Sequence, residues 1–123
     1  MELNIKQKNE LVTGIVLAQE LDAITENTKR FMVVRSFDIS DGRVKPWSKT
    51  LPNTLDNIKA KFIVKVYSIN IEYLDLDVDE RDCSDYVCFE DIYSFDELYR
   101  VIEKYVDDFS GLIPQWNVRN PIE

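Results

Sequence analysis

The fold of this 123-residue chain is decided by the stretch FIVKVYSINIEY, residues 62–73. Its odd positions are apolar except at Lys65, and the even positions before Ser68 are apolar as well. Apolar side chains on both sides are typical of a strand that is covered on both faces of its sheet. The pattern therefore predicts extended structure over 61–78, with burial on both faces before Ser68.

Beyond Tyr73 the alternation changes phase. Leu74, Leu76 and Val78 are now the apolar positions, and aspartates occupy the positions between and after them. A pattern of period two cannot change face without a bulge, a bend or a turn. We therefore expect either one long strand bent near Tyr73 or two strands within 61–78.

Two further segments have the composition of strands. Residues 30–39 (RFMVVRSFDI) are rich in β-branched and aromatic side chains and end at the turn sequence Ser40-Asp41-Gly42. Residues 86–92 (YVCFEDI) follow a polar turn and are predicted to pair with 74–78 as an antiparallel hairpin.

A helix is predicted over 95–109. Ser94 followed by Glu97 fits a capping box, and apolar residues then recur at steps of three and four up to Phe109. Acids at 107 and 108 conflict with the dipole of such a helix, which disfavours negative charge in its last turn. Compensation by Lys104, fraying, or a requirement for acidity on this face would each explain them.

The remaining segments give less distinct patterns. Residues 9–27 fit a helix, which we favour, or a strand followed by a helix. A short helical turn is predicted at 53–61. The sequence thus predicts one α+β domain over 1–123, with a mainly antiparallel sheet of about four strands against two or three helices. Residues 112–123 are expected to form a docked C-terminal tail.

Charge is divided by position along the chain. Residues 1–71 hold 11 Lys and Arg against 8 Asp and Glu, whereas residues 72–123 hold 4 against 15. The two halves, +3 and −11, sum to the net charge of −8. Between residues 75 and 91, eight acids face the single base Arg81. Such a segment creates a negative field that attracts cationic partners and repels nucleic acid.

Several kinds of chemistry are disfavoured by composition. The chain has no histidine, which is the commonest general base and metal ligand, and three widely separated glycines cannot form a phosphate-binding loop. Cys83 and Cys88 are too few for a structural zinc site and are expected to be reduced thiols. The sequence therefore predicts no cofactor and no catalytic residue, although a small carboxylate-dependent enzyme stays an alternative.

A calcium loop is the closest match to a metal motif. The spacing of Asp75, Asp77 and Asp79 copies the first three ligand positions of an EF-hand. Glu80 stands where the loop needs glycine, and Tyr86 stands where it needs a bidentate glutamate. We therefore predict no metal site.

The sequence also predicts where in the cell the protein is located. No apolar run reaches the roughly 20 residues needed to span a bilayer, and the N-terminus does not resemble a secretory signal, so a cytoplasmic protein is expected.

Trp47 lies in a loop with three cations and a proline, and it is either an exposed interface anchor or folded back on the core.

Size, lack of histidine, an acid-rich strand-turn-strand and the helix opening Ser-Phe-Asp-Glu-Leu-Tyr at 94–99 together describe the chain. In these features it resembles small bacterial immunity proteins, which neutralise toxins delivered between competing cells. The resemblance is one of class and rests on no single motif. It implies a tight binder that covers the active site or substrate groove of a basic toxin, often a nuclease.

The predicted working surface is therefore acidic with aromatic anchors. Carboxylates that occupy the phosphate positions of a cationic groove would steer association with a basic partner. An assembly protein that self-associates is the main alternative, and the acids would then serve only solubility and edge protection. The predicted partner-binding residues are Asp75, Asp77, Asp79, Glu80, Asp82, Asp85, Tyr86, Glu90, Asp91 and Trp47.

Overall fold

The computed structural model describes residues 2–47, 59–74 and 80–118, with Glu80 by its backbone alone. Within these ranges the chain is an α+β domain with one five-stranded antiparallel sheet and two α-helices, which confirms the predicted fold class. The helices are α1 (Ile5–Leu11) and α2 (Phe95–Ile102), and the strands are β1 (Leu17–Leu21), β2 (Thr28–Asp38), β3 (Ala60–Asn70), β4 (Cys83–Ile92) and β5 (Ile113–Pro114). The strand order is β4-β3-β2-β1-β5.

The long strands β2 and β3 form the centre of the sheet. They pair in unbroken register over 11 residues each, from Thr28 opposite Asn70 to Asp38 opposite Ala60. Strand β2 agrees with the predicted 30–39 to within two residues at its start and one at its end. Such a register keeps all even positions of both strands on one face and all odd positions on the other.

The larger core lies on the even face of β2 and β3. Met32, Val34, Val64 and Val66 are fully buried there against side chains of both helices. The helix residues in this cluster are Leu11, Leu98, Tyr99 and Ile102. Because α1 and α2 share one face, the sheet and its helices form two layers.

A smaller cluster lies on the opposite face. Phe31, Val33, Tyr67 and Ile69 are its central members, and Phe31 and Tyr67 have ring centroids 5.8 Å apart. Burial on both faces of β3 is therefore confined to 66–69, whereas the sequence predicted it before Ser68. The prediction was wrong because the odd positions 61, 63 and 65 lie beyond this cluster and are half-buried.

The helix favoured for 9–27 is wrong in most of its length. Helix α1 begins after Asn4, whose side chain and that of Gln7 form a reciprocal capping box. It ends at Leu11, and Gly14 takes a left-handed conformation with φ of 89°. Glycine adopts this conformation without a steric cost, so the chain can reverse and enter β1 at Leu17.

Helix α2 begins at Phe95 as predicted, but it ends at Ile102 and not at 109. Phe109 belongs to a separate 3-10 turn, Phe109–Gly111, which Asp108 caps by accepting a hydrogen bond from Ser110 N at 2.9 Å. The acids at 107 and 108 therefore lie outside the helix. The conflict with its dipole disappears, and Asp108 instead stabilises the start of the next turn.

Strand β4 pairs with β3, whereas the sequence predicted a hairpin between 86–92 and 74–78. Strand β3 leaves the sheet at Asn70 and continues as the 3-10 turn Ile71–Tyr73. Strand β4 pairs with β3 itself, for example Lys65 opposite Cys88 and Ile69 opposite Cys83. Of the predicted hairpin strand 74–78, residues 75–78 lie outside the described part of the chain.

The C-terminal segment returns to the first strand. Leu112 is buried, and β5 pairs with β1 through Leu17 opposite Pro114 and Ala18 opposite Ile113. The predicted turn at 53–61 falls mainly on residues outside the described ranges, and Ala60 and Lys61 begin β3. Among the described residues, no helix is long and apolar enough to cross a membrane.

Candidate functional site

The acids of β4 define the candidate site. Asp85, Glu90 and Asp91 lie within this strand and Asp82 immediately precedes it, and all four are exposed. We call these four residues the acidic edge, because β4 is the outermost strand on one side of the described sheet. Asp75, Asp77, Asp79 and the side chain of Glu80, which the sequence also predicted, lie outside the described part of the chain.

Asp85 occupies a β-bulge. Val66 pairs with Val87 and Ser68 with Ser84, so that Tyr67 alone faces both Asp85 and Tyr86. Asp85 has φ of 52°, in the left-handed region that aspartate tolerates better than most non-glycine residues. The extra residue of a bulge has no partner in the ladder. The carboxylate of Asp85 is thereby held on the exposed edge.

A second bulge places the other two acids. Phe62 pairs with Ile92 and Val64 with Phe89, so Glu90 and Asp91 together face Ile63. Ile92 and Phe89 keep their side chains on the core cluster, and both acids between them are exposed. Both bulges thus insert acidic residues into β4, while Phe89 and Ile92 remain packed on the core.

Charge compensation differs between the three acids of β4 and an acid elsewhere in the fold. Asp85, Glu90 and Asp91 form no salt bridge within the described ranges. Elsewhere, Asp41 lies 2.9 Å from Lys45 Nζ and 3.3 Å from Arg43 Nη2. Hydrogen bonds from Lys45 and then from the Arg43 backbone lower the pKa of Asp41. The negative field of the edge is therefore available to a partner, whereas that of Asp41 is neutralised locally.

The side chains between the acids are partly apolar. Tyr86 is half-buried and packs against the smaller core cluster. Val87 is 40% exposed, and no periodic pattern in the sequence distinguished it from a core residue. Val87 pairs with Val66, on the face of the larger core, and is nevertheless exposed. Val87 therefore offers an exposed apolar contact between the two bulges.

The environment of Cys88 makes its thiol a weak nucleophile. Cys83 and Cys88 form no disulfide and are both half-buried. Burial and then the charge of Glu90 raise the pKa of Cys88, whose Sγ lies 3.7 Å from Glu90 Oε1. A raised pKa keeps the thiol protonated and poorly nucleophilic. In the part of the chain that the structure describes, no group of three or more metal-ligating side chains comes together.

Trp47 does not belong to this surface. It is only 8% exposed, it packs in the larger core cluster, and its Nε1 donates a hydrogen bond of 2.7 Å to Ser36 Oγ. The prediction of an exposed interface anchor at this position is therefore wrong. An indole whose N–H is hydrogen-bonded stabilises the fold more when its ring is buried in the core than when it is exposed to water.

Comparisons with known proteins add no family to these observations. No protein-family model, curated protein or solved structure matches this chain.

Proposed function

We propose that this chain is a cytoplasmic protein-binding module of the immunity or inhibitor class, which neutralises a basic toxin or nuclease through its acidic edge. The observation that carries the proposal is the set of three exposed carboxylates without a salt bridge, two of them at one bulge and one at the other. A cation-rich groove on the partner would supply the missing counter-charges.

The bulges suit recognition by side chains. A regular edge strand offers its backbone to any other strand, which leads to unselective pairing and aggregation. In β4 the ladder shifts twice within ten residues, so only a short regular run remains between the shifts. We infer that a partner contacts the exposed carboxylates of β4 more than its backbone. The favoured partner is therefore a basic protein surface and not the edge strand of a second sheet.

The charge pattern also opposes pairing of β4 with a second copy of itself. Antiparallel pairing of two such edges would bring acids of one chain near acids of the other, and like charges placed opposite each other are destabilising. A basic partner reverses the sign of this interaction. Electrostatic steering of this kind raises the association rate and weakens as salt increases.

The experiment compares two triple variants of equal net charge. In the first, Asp85→Asn, Glu90→Gln and Asp91→Asn remove the three charges of the acidic edge that lie within β4. In the second, three other exposed acids are neutralised by Glu2→Gln, Asp22→Asn and Glu26→Gln. Association with the product of the neighbouring reading frame is followed by stopped-flow fluorescence between about 20 and 300 mM NaCl.

We expect the edge variant to associate at least about 10-fold more slowly than the wild type at low salt and to lose most of its salt dependence. The matched variant should stay close to the wild type. Equal slowing in both variants would show that net charge, and not this edge, directs the partner. Unchanged association in both would remove the acidic edge as the docking surface.

A further inference from the structure

One pair of backbone hydrogen bonds is missing from the edge of β2 at Ser36. The register of β1 on β2 begins with Leu17 opposite Val34. Asp38 bridges to Lys45 on the same side of β2, because β3 occupies the other side along the whole strand. Between these two pairs, Ser36 has no partner on that side within the described ranges. We call this unpaired position the Ser36 gap.

The backbone N–H and C=O of Ser36 both point into this gap. Asp38 N donates to Lys45 O at 2.8 Å and accepts in return at 3.0 Å through its own O, so its polar backbone groups face away from β3. Ile39 N donates to Lys59 O at 3.0 Å and therefore faces the β3 side. Because successive residues of a strand direct these groups to alternate sides, Ser36 has the orientation of Asp38. Among the described residues, neither group of Ser36 has a backbone partner in the gap.

The residue that would fill the gap is held by helix α1 instead. Continuing the register of β1 would place Ile15 opposite Ser36, but Ile15 N donates to Glu10 O at 2.9 Å. Gly14 turns the chain there with φ of 89°. In the described part of the chain, no heavy atom other than those of its chain neighbours would lie within 4 Å of a Cβ at Gly14. The end of α1 therefore keeps β1 from closing the gap and leaves open space beside it.

A cavity of about 180 Å³ lies at the Ser36 gap. Three consecutive residues of β2, 35–37, line it. Their side chains alternate between the two faces of the sheet, so the cavity follows the edge of the strand and not one face. Its other walls come from the two segments that flank the gap, namely Thr13, Gly14 and Val16 before β1 and Pro46 and Trp47 after Lys45.

From this geometry we propose that the cavity binds a small ligand that carries a neutral carboxamide. The carboxamide oxygen accepts a hydrogen bond from Ser36 N, and its N–H donates to Ser36 O, as the opposite residue of an antiparallel ladder does. Ser36 is buried, and buried backbone groups are almost always paired because an unpaired one is costly. A carboxylate has only acceptors, so it would leave the carbonyl of Ser36 without a donor.

The length of the gap favours a small molecule over a peptide strand. Val34 and Asp38 are about 13 Å apart along β2, and their partners Leu17 and Lys45 close the gap at its two ends. An added strand of more than about two residues would collide with one of them. A cavity of about 150 Å³ accommodates a benzene ring. The observed volume of about 180 Å³ therefore suits one ring with a carboxamide group.

The test titrates three ligands of the same shape into the ¹⁵N-labelled protein. Benzamide has the donor and the acceptor, acetophenone has the acceptor alone, and benzoate has acceptors and a charge. We expect benzamide to shift the Ser36 amide and the Trp47 indole N–H resonances in a saturable way. Trp116 is 65% exposed and does not line the cavity, so its indole N–H should not respond. Acetophenone and benzoate should bind at least about 10-fold more weakly than benzamide.

Two variants of Ser36 separate its backbone from its side chain. Ser36→Ala removes the hydroxyl that accepts from Trp47 Nε1 at 2.7 Å but keeps the backbone N–H, so it should bind benzamide nearly as the wild type does. Ser36→Pro removes the hydroxyl and the N–H. Because this N–H points away from β3, proline breaks no bond of that ladder, and benzamide binding should weaken about 10-fold or more. Thermal unfolding shows whether each variant is folded, and the three ligands on the wild type decide the question if Ser36→Pro is not.

Equal binding of benzamide and acetophenone would overturn the proposal, because the donor of the ligand would then have no effect. A folded Ser36→Pro variant with wild-type affinity would do the same, as would the lack of a saturable shift at about 50 mM benzamide. Tighter binding of benzoate would overturn it in favour of an anion site at Arg35, which also lines the cavity. The acidic edge plays no part in these measurements, so their outcome is independent of the proposed function.

Discussion

The two sides of the sheet end in different ways. On one side, β4 is ten residues long, is bulged twice and carries exposed acids. On the other side, β1 is five residues long, and the two-residue strand β5 covers only its first part. Apolar side chains are exposed on both sides, Val87 at 40% on β4 and Ile113 at 38% and Trp116 at 65% on the second side.

The two edge strands of the sheet, β5 and β4, are secured in different ways. Strand β5 is held by a tertiary contact, because Gln7 Nε2 donates hydrogen bonds to Phe109 O at 2.7 Å and Leu112 O at 2.9 Å. The position of the short edge strand β5 is therefore fixed by a side chain of helix α1. The exposed edge of strand β4 is instead protected by backbone irregularity and charge.

Removing Gln7 should produce the largest effect. Gln7→Ala leaves two buried carbonyls without donors and breaks the capping box of α1, so we expect a loss of roughly 2–4 kcal/mol in the free energy of unfolding. Urea denaturation followed by far-UV circular dichroism measures this change. The loss should be accompanied by faster amide exchange in β5.

Gln19→Ala is the matched control for this change. Gln19 lies on β1 near Gly111, and its buried Oε1 has no hydrogen-bond partner. Its removal should cost less than about 1 kcal/mol, since no hydrogen bond is lost. Similar losses in both variants would mean that side-chain volume, and not the bonds of Gln7, holds this edge.

The bulge at Asp85 should give an effect of intermediate size. Asp85→Gly removes the steric cost of a left-handed residue and should stabilise the fold by about 0.5–1 kcal/mol, whereas Asp85→Val should destabilise it by about 1–2 kcal/mol. Asp91→Gly is the control, because Asp91 is exposed and does not have positive φ. Glycine there should destabilise by about 0.5–1 kcal/mol. Stabilisation by glycine at both positions would contradict this account of the first bulge.

The smallest effect concerns the cap that precedes β5. Hydrogen bonds from the backbone and then the side chain of Ser110 lower the pKa of Asp108. A folded-state pKa below the unfolded one stabilises the fold above the ordinary aspartate pKa, and this contribution is lost as the pH falls through the lowered value. Asp108→Ala should therefore lower Tm slightly at about pH 7 and leave it unchanged in strong acid.

Asp107→Ala serves as the control for the cap, because Asp107 is exposed and forms no hydrogen bond in the described structure. Thermal unfolding by circular dichroism at a series of pH values compares the two variants. A Tm difference between Asp108→Ala and the wild type that persists in strong acid would show that the cap does not act through the ionised carboxylate.

Local patterns predicted the elements that depend on local interactions. The strand over 30–39 and the start of α2 at Phe95 were recognisable, because alternation and a capping serine are properties of a few neighbouring residues. The helix favoured for 9–27 failed because its apolar residues fit both periods. Only packing of Leu17 and Ala18 against the sheet selects a strand there.

The candidate site was predictable in composition but not in geometry. The cluster of acids near β4 was visible in the sequence, as was its low content of bases. The two bulges were not predictable, because they result from the register between β3 and β4. Residues paired between these strands are at least 14 positions apart in the chain, as Ile69 and Cys83 are. The burial of Trp47 likewise depends on Ser36 in a different element.

By itself the sequence determined the α+β class, the separation of charge between its two halves and the cap of α2, since these follow from composition and short-range periodicity. Tertiary structure alone decided the partner of β4, the extra residues at its bulges and the burial of Trp47 against Ser36. Each of these depends on contacts between residues distant in the chain, and the geometry of such contacts is fixed only when the whole sheet has paired.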